Sequence, residues 1–250
     1  MRTKELSGFL DTLLEIQRIE DISLNGLQVE NKGEVNKVTL AVDASFDAIK
    51  KAKDIGSDFM FVHHGLFWGK SVSLTGSMYQ KIRVLIDSNI ALYAAHLPLD
   101  IHPELGNNAQ IEEILGWPVT GDFGEYHGVV IGKEVSFKEP VSLSHLVKHI
   151  ESRLSCKPSV WDFGPAKVKR LAYVSGDGLS MLYQAIECGI DTFVTGEPAH
   201  SHYWEAKEAG INVIFAGHYA TETLGVKAVG EIIQERFGLE TIFIDLPTGL

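Results

Sequence analysis

Cysteine is scarce. Only Cys156 and Cys188 occur in 250 residues and no CxxC spacing is present, which excludes a disulfide framework and a thiolate zinc site. Both are expected as core or near-surface thiols. Positive charge is also short: 22 Lys and Arg stand against 33 Asp and Glu, for a formal charge of −11 and a pI near 5.3. A surface built for polyanions is not expected, and nucleic acid is not an expected partner. No run approaches the roughly 18 consecutive apolar residues that a bilayer span needs, so no membrane partner is expected either. Near the start, Met1-Arg2-Thr3-Lys4-Glu5-Leu6 breaks its apolar positions with charges at helical spacing, unlike a signal peptide, and a cytoplasmic location is the expectation. The chain has no GxxxxGK[ST], no GxGxxG after a strand and no GxSxG, so a P-loop, a dinucleotide fold and a serine hydrolase elbow lose their support.

What is present is enough apolar residue, 45%, to fill one large domain or two modest ones, and a regular α/β pattern. Leu6, Phe9, Leu10, Leu13 and Leu14 follow helical spacing. Asn25-Gly26-Leu27-Gln28-Val29 reads as a turn entering a short strand. Val38–Val42 predicts a strand, Ser45 caps a helix carrying Phe46, Ile49 and Ala52, Gly56 stops it, and Phe59–Val62 predicts a second strand. A helix over Met78–Ser88, a strand over Ile90–Ala95, a helix over Asn107–Leu115 and a strand over Gly128–Ile131 follow. Ser144–Leu154 predicts a helix. Strand, helix and strand then recur at Arg170–Val174, around Leu182 and Ala185, and at Thr192–Val194, about 130 residues on. The strand Asn212–Phe215, a helix over Thr221–Phe237 and the strand Glu240–Asp245 close the chain. The fold class is therefore α/β, with two related halves produced by internal duplication, residues 1–135 and 136–250, the C-terminal helix and strand being free to pack back onto the first half. A metal site is expected in the cleft between the halves, where strand ends of open parallel sheets place their sites.

The chemistry concentrates at strand ends. Val62-His63-His64-Gly65-Leu66-Phe67-Trp68-Gly69 puts two imidazoles where an apolar run stops. Neighbouring side chains on a strand point to opposite faces, so each histidine is expected to serve a different ion. His96-Leu97-Pro98-Leu99-Asp100 and His218-Tyr219-Ala220-Thr221-Glu222 each place a histidine at a strand end with a carboxylate four residues on. His63, His64, Asp100, His218 and Glu222 give three imidazoles and two carboxylates, enough for two divalent ions if one carboxylate bridges and waters complete the shells. This donor set suits zinc, manganese, iron, cobalt or nickel without choosing among them. Glu222, in the first turn of its helix, is favoured in ionised form.

His96 occupies the apparent repeat position of His218. Leu97-Pro98 turns the chain there, so a role supporting another ligand or moving a proton is expected rather than coordination. Glu197, after Thr195-Gly196, is the second candidate for proton transfer. His200 and His202 are expected at a helix start, and His102, His127, His145 and His149 in surface or capping roles.

Together, Asn25-Gly26-Leu27-Gln28-Val29-Glu30, Val62 to Trp68, His96 to Asp100, His102-Pro103-Glu104-Leu105-Gly106-Asn107-Asn108-Ala109, Thr195-Gly196-Glu197 and Ala216-Gly217-His218 to Glu222 resemble the Nif-three-like family, whose members carry the label GTP cyclohydrolase 1 type 2 homologues. The resemblance runs to Asp245-Leu246-Pro247, essentially the whole chain. It implies two related α/β domains, a ring-shaped homohexamer and a dinuclear metal centre between the domains. It also implies that His64 and Asp100 bind one ion, that His63 and His218 bind the other, and that Glu222 bridges them. The resulting expectation is metal-dependent hydrolysis of a nucleotide or related small molecule. Non-enzymatic metal handling (delivery, storage or sensing) is the alternative, and a scaffold with structural metals a third reading.

Overall fold

The computed structural model describes residues 1–250. In chain order the elements are α1 (Thr3–Leu13), β1 (Gly26–Val29), β2 (Lys37–Asp43), α2 (Phe46–Ile55), β3 (Phe59–His64), α3 (Gly76–Asp87), β4 (Ala91–Ala94), α4 (Leu97–Asp100), α5 (Asn107–Leu115), β5 (Val119–Tyr126), β6 (Val129–Ser142), α6 (Leu143–Leu154), β7 (Ser159–Asp162), β8 (Lys167–Tyr173), α7 (Leu182–Glu187), β9 (Thr192–Thr195), α8 (Tyr203–Ala209), β10 (Asn212–Phe215), α9 (His218–Phe237) and β11 (Glu240–Phe243). They form two compact units. One comprises Met1–Leu105 with Gly225–Leu246, the other Gly106–Leu224 with Pro247–Leu250.

The first unit holds a five-stranded sheet in the order β1-β4-β3-β2-β11, parallel except for β1. Alternation along β3 sends Phe59 and Phe61 to one face and Met60 and Val62 to the other. Leu6 and Leu10 of α1 and Val226, Val229 and Ile233 of α9 cover the first face. Ala48, Ile49 and Ala52 of α2 and Leu85 of α3 cover the second. A parallel sheet buried on both faces requires strands apolar throughout, which is what β3 and β4 supply. The local signals act as their chemistry dictates: Ser45 Oγ accepts from Ala48 N, and Gly56 ends α2 at φ 75°.

The second unit holds a six-stranded mixed sheet in the order β5-β6-β8-β9-β10-β7. Ile111, Leu115, Leu146 and Ile150 from α5 and α6 pack with Val135, Val168, Leu171 and Ile214. Residues 106–135, placed with the first half by the sequence pattern, belong to this unit instead, α5 packing on the sheet and β5 and the start of β6 entering it. β5 pairs antiparallel with β6, and β6 pairs with β8. The pattern shows only a short strand at 128–131 because β5 is Gly-interrupted, charged and largely exposed, and carries no apolar period. β11 pairs with β2 in the first sheet, and the division between the units falls inside α9.

The repeat extends to single hydrogen bonds. Val38 pairs with Phe59 in the first unit and Leu171 with Thr192 in the second, each position advanced by 133 residues. Asp58 Oδ2 accepts from Asn36 N and Lys37 N, and Asp191 Oδ2 from Lys169 N and Arg170 N, at the same interval. Each carboxylate clamps the entry of the neighbouring strand and so fixes the register. Cys156 is half-buried, with its thiol pushed up to about 11 by desolvation, and Cys188 is exposed.

Candidate metal centre

β3 delivers His63 and His64 to the C-terminal edge of the first sheet. The pleat would send their side chains to opposite faces, but where the strand ends the rings converge to 4.6 Å between centroids. His63 is fully buried and His64 partly so. His63 Nδ1 donates to Ala95 O at 2.9 Å, and His64 Nδ1 to Asp43 Oδ1 at 2.9 Å. Asp43 reaches His64 because the two are register partners at the ends of β2 and β3. With Nδ1 donating in each ring, Nε2 carries the lone pair of the neutral imidazole.

His96 follows β4, and its ligand nitrogen lies within 4.8 Å of those of His63 and His64. Its Nδ1 donates to both oxygens of Asp21 at 3.1 Å. Asp100, at the end of α4 and 6% exposed, brings Oδ2 to 3.6 Å from His63 Nε2. The resemblance assigns Asp100 to the ion of His64, whereas the short contact in the structure is with His63.

The loop that turns after His64 is held from Asn25-Gly26-Leu27-Gln28. Gln28 Oε1 accepts from Leu66 N at 2.7 Å, and Asn25 Oδ1 from His96 N at 2.8 Å. The segment is therefore a brace for both histidine loops, beyond its reading as a plain turn. Gly65 is required by close approach: a Cβ there would stand 2.6 Å from Ala94 Cβ and closer still to Gln28 Nε2. Trp68 packs beside His64 and His96, with ring centroids at 5.8 and 5.0 Å, and its Nε1 donates to Gly65 O at 3.0 Å.

In the second unit, α9 begins at His218, three residues before the expected Thr221. His218 and Glu222 thus lie one turn apart on one helix face, with His218 Nε2 3.1 Å from Glu222 Oε2. His218 Nδ1 faces Glu197 Oε2 at 3.4 Å. Burial alone would lower the pKa of this imidazole, but Glu222 first and Glu197 second raise it to about 9. Glu222 is 3% exposed. Glu197 accordingly orients His218 in this structure.

The two histidine-to-acid segments are not equivalent by register. Ala95 N donates to Val62 O and Ala216 N to Thr195 O, so Ala95 corresponds to Ala216. His96 therefore corresponds to Gly217, and His218 to Leu97. His64 corresponds to Glu197 and Asp43 to Gly176, by the 133-residue interval. An aspartate could not stand at 176, because any Cβ there would collide with Glu222 Oε1.

The remaining histidines have local partners. His102 Nδ1 accepts from Leu105 N at 3.0 Å, and burial lowers its pKa. His149 Nε2 bonds Leu115 O at 2.8 Å, while His127 turns the β5–β6 hairpin at φ 50°. His200 and His202 occupy a short 3-10 turn before α8, and exposed His145 takes a Ser142 Oγ bond at its backbone nitrogen. Asp21 and Asp43, which orient two of the histidines, were not singled out by the sequence. Asp43 carries a readable signal, an acid just past an apolar run paired with the run that ends in His64. Asp21 offers only a short-range cue, its Oδ1 accepting from Ser23 N two residues on.

The donor sets fit a divalent cation. Within the first unit three imidazoles and a carboxylate gather, and within the second an imidazole and a carboxylate, each imidazole with Nδ1 facing an oxygen, the usual outer partner of a coordinated histidine.

The chain is 43% identical over 250 residues to a protein of Archaeoglobus fulgidus named GTP cyclohydrolase 1 type 2 homolog, covering 100% of both chains. It is 45% identical over 251 residues to the Pyrococcus horikoshii protein of the same name, again covering 100% of both. A solved structure from Thermus thermophilus superposes with a TM-score of 0.90 at 42% identity over 100% of both chains. Residues 1–249 match the family described as Duf34/NIF3 (NGG1p interacting factor 3). With these matches over its whole length, the chain belongs to the Duf34/NIF3 family.

Proposed function

We propose that His63, His64, Asp100, His218 and Glu222 hold two divalent cations and that the protein is a metal-dependent hydrolase of a nucleotide or related small molecule. The observation that carries this reading is the uniform commitment of the histidine Nδ1 atoms to oxygen partners, which presents Nε2 as the coordinating nitrogen. Bound divalent ions supply Lewis acidity and lower the pKa of water toward neutrality. The name of the relatives suggests the class of reaction: water adds to a ring carbon, a ring C–N bond breaks, and the released nitrogen takes the proton. In this chain Glu222 would supply its carboxylate to hold the ions, Asp43 and Glu197 would hold the imidazole planes of His64 and His218, and Trp68 would shield the His64 side from water. A small-molecule substrate, a cytoplasmic location and a homohexamer belong to the same proposal, the last supported by the family resemblance. No helix is long and apolar enough to cross a membrane.

A second reading, non-enzymatic metal handling, is favoured by His218. Glu222 and Glu197 hold its imidazole protonated up to about 9, so a proton competes with any cation at that nitrogen. Ion uptake there would release a proton, which suits reversible loading.

Elemental analysis of protein purified without added metal, followed by a turnover screen over nucleotides and pterin precursors, separates the readings. The hydrolase reading expects two equivalents of metal, turnover lost on chelation and restored on reloading, and at least a hundredfold loss in Glu222→Gln at unchanged fold. Stoichiometric metal with ready exchange and no turnover selects metal handling. Protein that neither retains nor takes up ions rules out both.

A further inference from the structure

Asp21 has a side chain only 1% exposed, yet it receives four donors. Ser23 N and Asn25 Nδ2 reach it at 3.0 Å, as does Leu97 N, while His96 Nδ1 lies 3.1 Å from both oxygens. A carboxylate gripped so fully has little freedom, and it fixes both the plane of the His96 ring and the tautomer that carries the lone pair on Nε2. Asn25 Oδ1 holds the His96 backbone nitrogen at 2.8 Å, so the ring is pinned from two directions. That is more positioning than a surface or helix-capping histidine needs.

The ring geometry says what the positioning serves. Centroids are 4.6 Å apart for His63 and His64, 5.1 Å for His63 and His96, and 5.7 Å for His64 and His96. Imidazoles bound through Nε2 to one tetrahedral ion, at metal–nitrogen distances of about 2.0–2.1 Å, have centroids roughly 5 Å apart. The three separations bracket that value. Trp68 closes one side, edge-on to His96 at an interplanar angle of 73°.

We infer that His63, His64 and His96 form a three-imidazole site within the first unit that takes one divalent transition-metal ion without His218 or Glu222, with Asp21 as the positioning residue for His96. This rests on the proposed metal-binding function and deepens it by adding a ligand and an order of loading. Three borderline nitrogen donors select zinc, cobalt, nickel or copper over magnesium and calcium.

The test uses the full chain carrying His218→Ala and Glu222→Gln, stripped with chelator and titrated with Co2+. One equivalent is expected to bind and to give the strong visible bands of tetrahedral cobalt. Adding His96→Gln should weaken binding by about 10–100-fold and collapse those bands, and adding Asp21→Asn should act in the same direction by about tenfold. If circular dichroism shows the His96 variant unfolded, Asp21→Asn carries the test. No cobalt uptake by the double variant overturns the inference, as does an unchanged affinity and spectrum when His96 or Asp21 is replaced in folded protein. Unsubstituted protein that takes no ion sinks the underlying function as well. Two ions in unsubstituted protein with no effect of His96 or Asp21 sink this inference alone.

Discussion

Replacing Gly196 by alanine is expected to cost about 3 kcal/mol of stability and to misplace His218, a loss seen as a lowered urea midpoint together with weakened metal uptake. The cause is steric and local. A Cβ on Gly196 would stand 2.6 Å from Gly176 O, 2.6 Å from His218 Cα and 2.9 Å from His218 N, all backbone atoms. Nothing flexible can yield, because Gly196 N donates to Gly176 O and Gly196 O accepts from Gly217 N, tying the three segments together. Relief therefore requires moving the start of α9, and with it the imidazole and the carboxylate one turn later. Gly8 is the matched control: it lies in α1 with nothing within 4 Å of a built Cβ, so Gly8→Ala should be neutral or stabilising by about 1 kcal/mol through helix propensity alone. Equal effects at the two positions would refute the steric account.

Asp21→Ala should lower stability at neutral pH by about 3 kcal/mol, because it strips the acceptor from four donors at once and leaves buried polar groups unmatched. Asp21→Asn keeps a carbonyl oxygen in place and should lose markedly less. The pH dependence has a definite sign. Burial works to raise the Asp21 pKa, but the His96 hydrogen bond and charge, with Ser23 N and Asn25, hold it down at about 2, below the ordinary 3.8. A carboxyl whose folded pKa is depressed contributes fully above its unfolded value and loses that contribution as pH falls through the folded one. The gap in urea midpoint between unsubstituted protein and Asp21→Ala should narrow as the pH falls from about 4 toward 2. A gap that does not narrow over that range would show that Asp21 is not the ionised acceptor described.

Much of the frame could be read from residues alone. Ser45 and Gly56 bracket α2, the apolar runs 59–62 and 90–95 lie within or overlap parallel strands, and the histidines fall at strand ends because the runs stop there. What escaped has a common physical reason: it depends on pairings between segments distant in sequence. Asp21 and His96 are 75 residues apart, and Asn25 braces the same histidine from 71. No periodicity marks such partners. The repeat was visible, but its alignment after the second strand was not. The step from β3 to β4 is 32 residues, Phe59 to Ala91, whereas that from β9 to β10 is 20, Thr192 to Asn212. Only the ladder shows that His96 corresponds to Gly217, one position before His218. Likewise β5, exposed and interrupted by Gly121 and Gly124, joins its sheet through backbone pairing that side-chain pattern does not encode.

Trp68 gives the first unit an optical property. Its indole lies 5.8 Å from the His64 ring and 5.0 Å from the His96 ring, so a cation coordinated by either would sit within about 10 Å of the fluorophore. An open-shell ion at that range quenches indole emission by energy transfer, while closed-shell zinc leaves it nearly intact. Occupancy of the histidine cluster by an open-shell ion then reads out as a partial loss of the protein's own emission, Trp68 being one of its four tryptophans, without a dye or label.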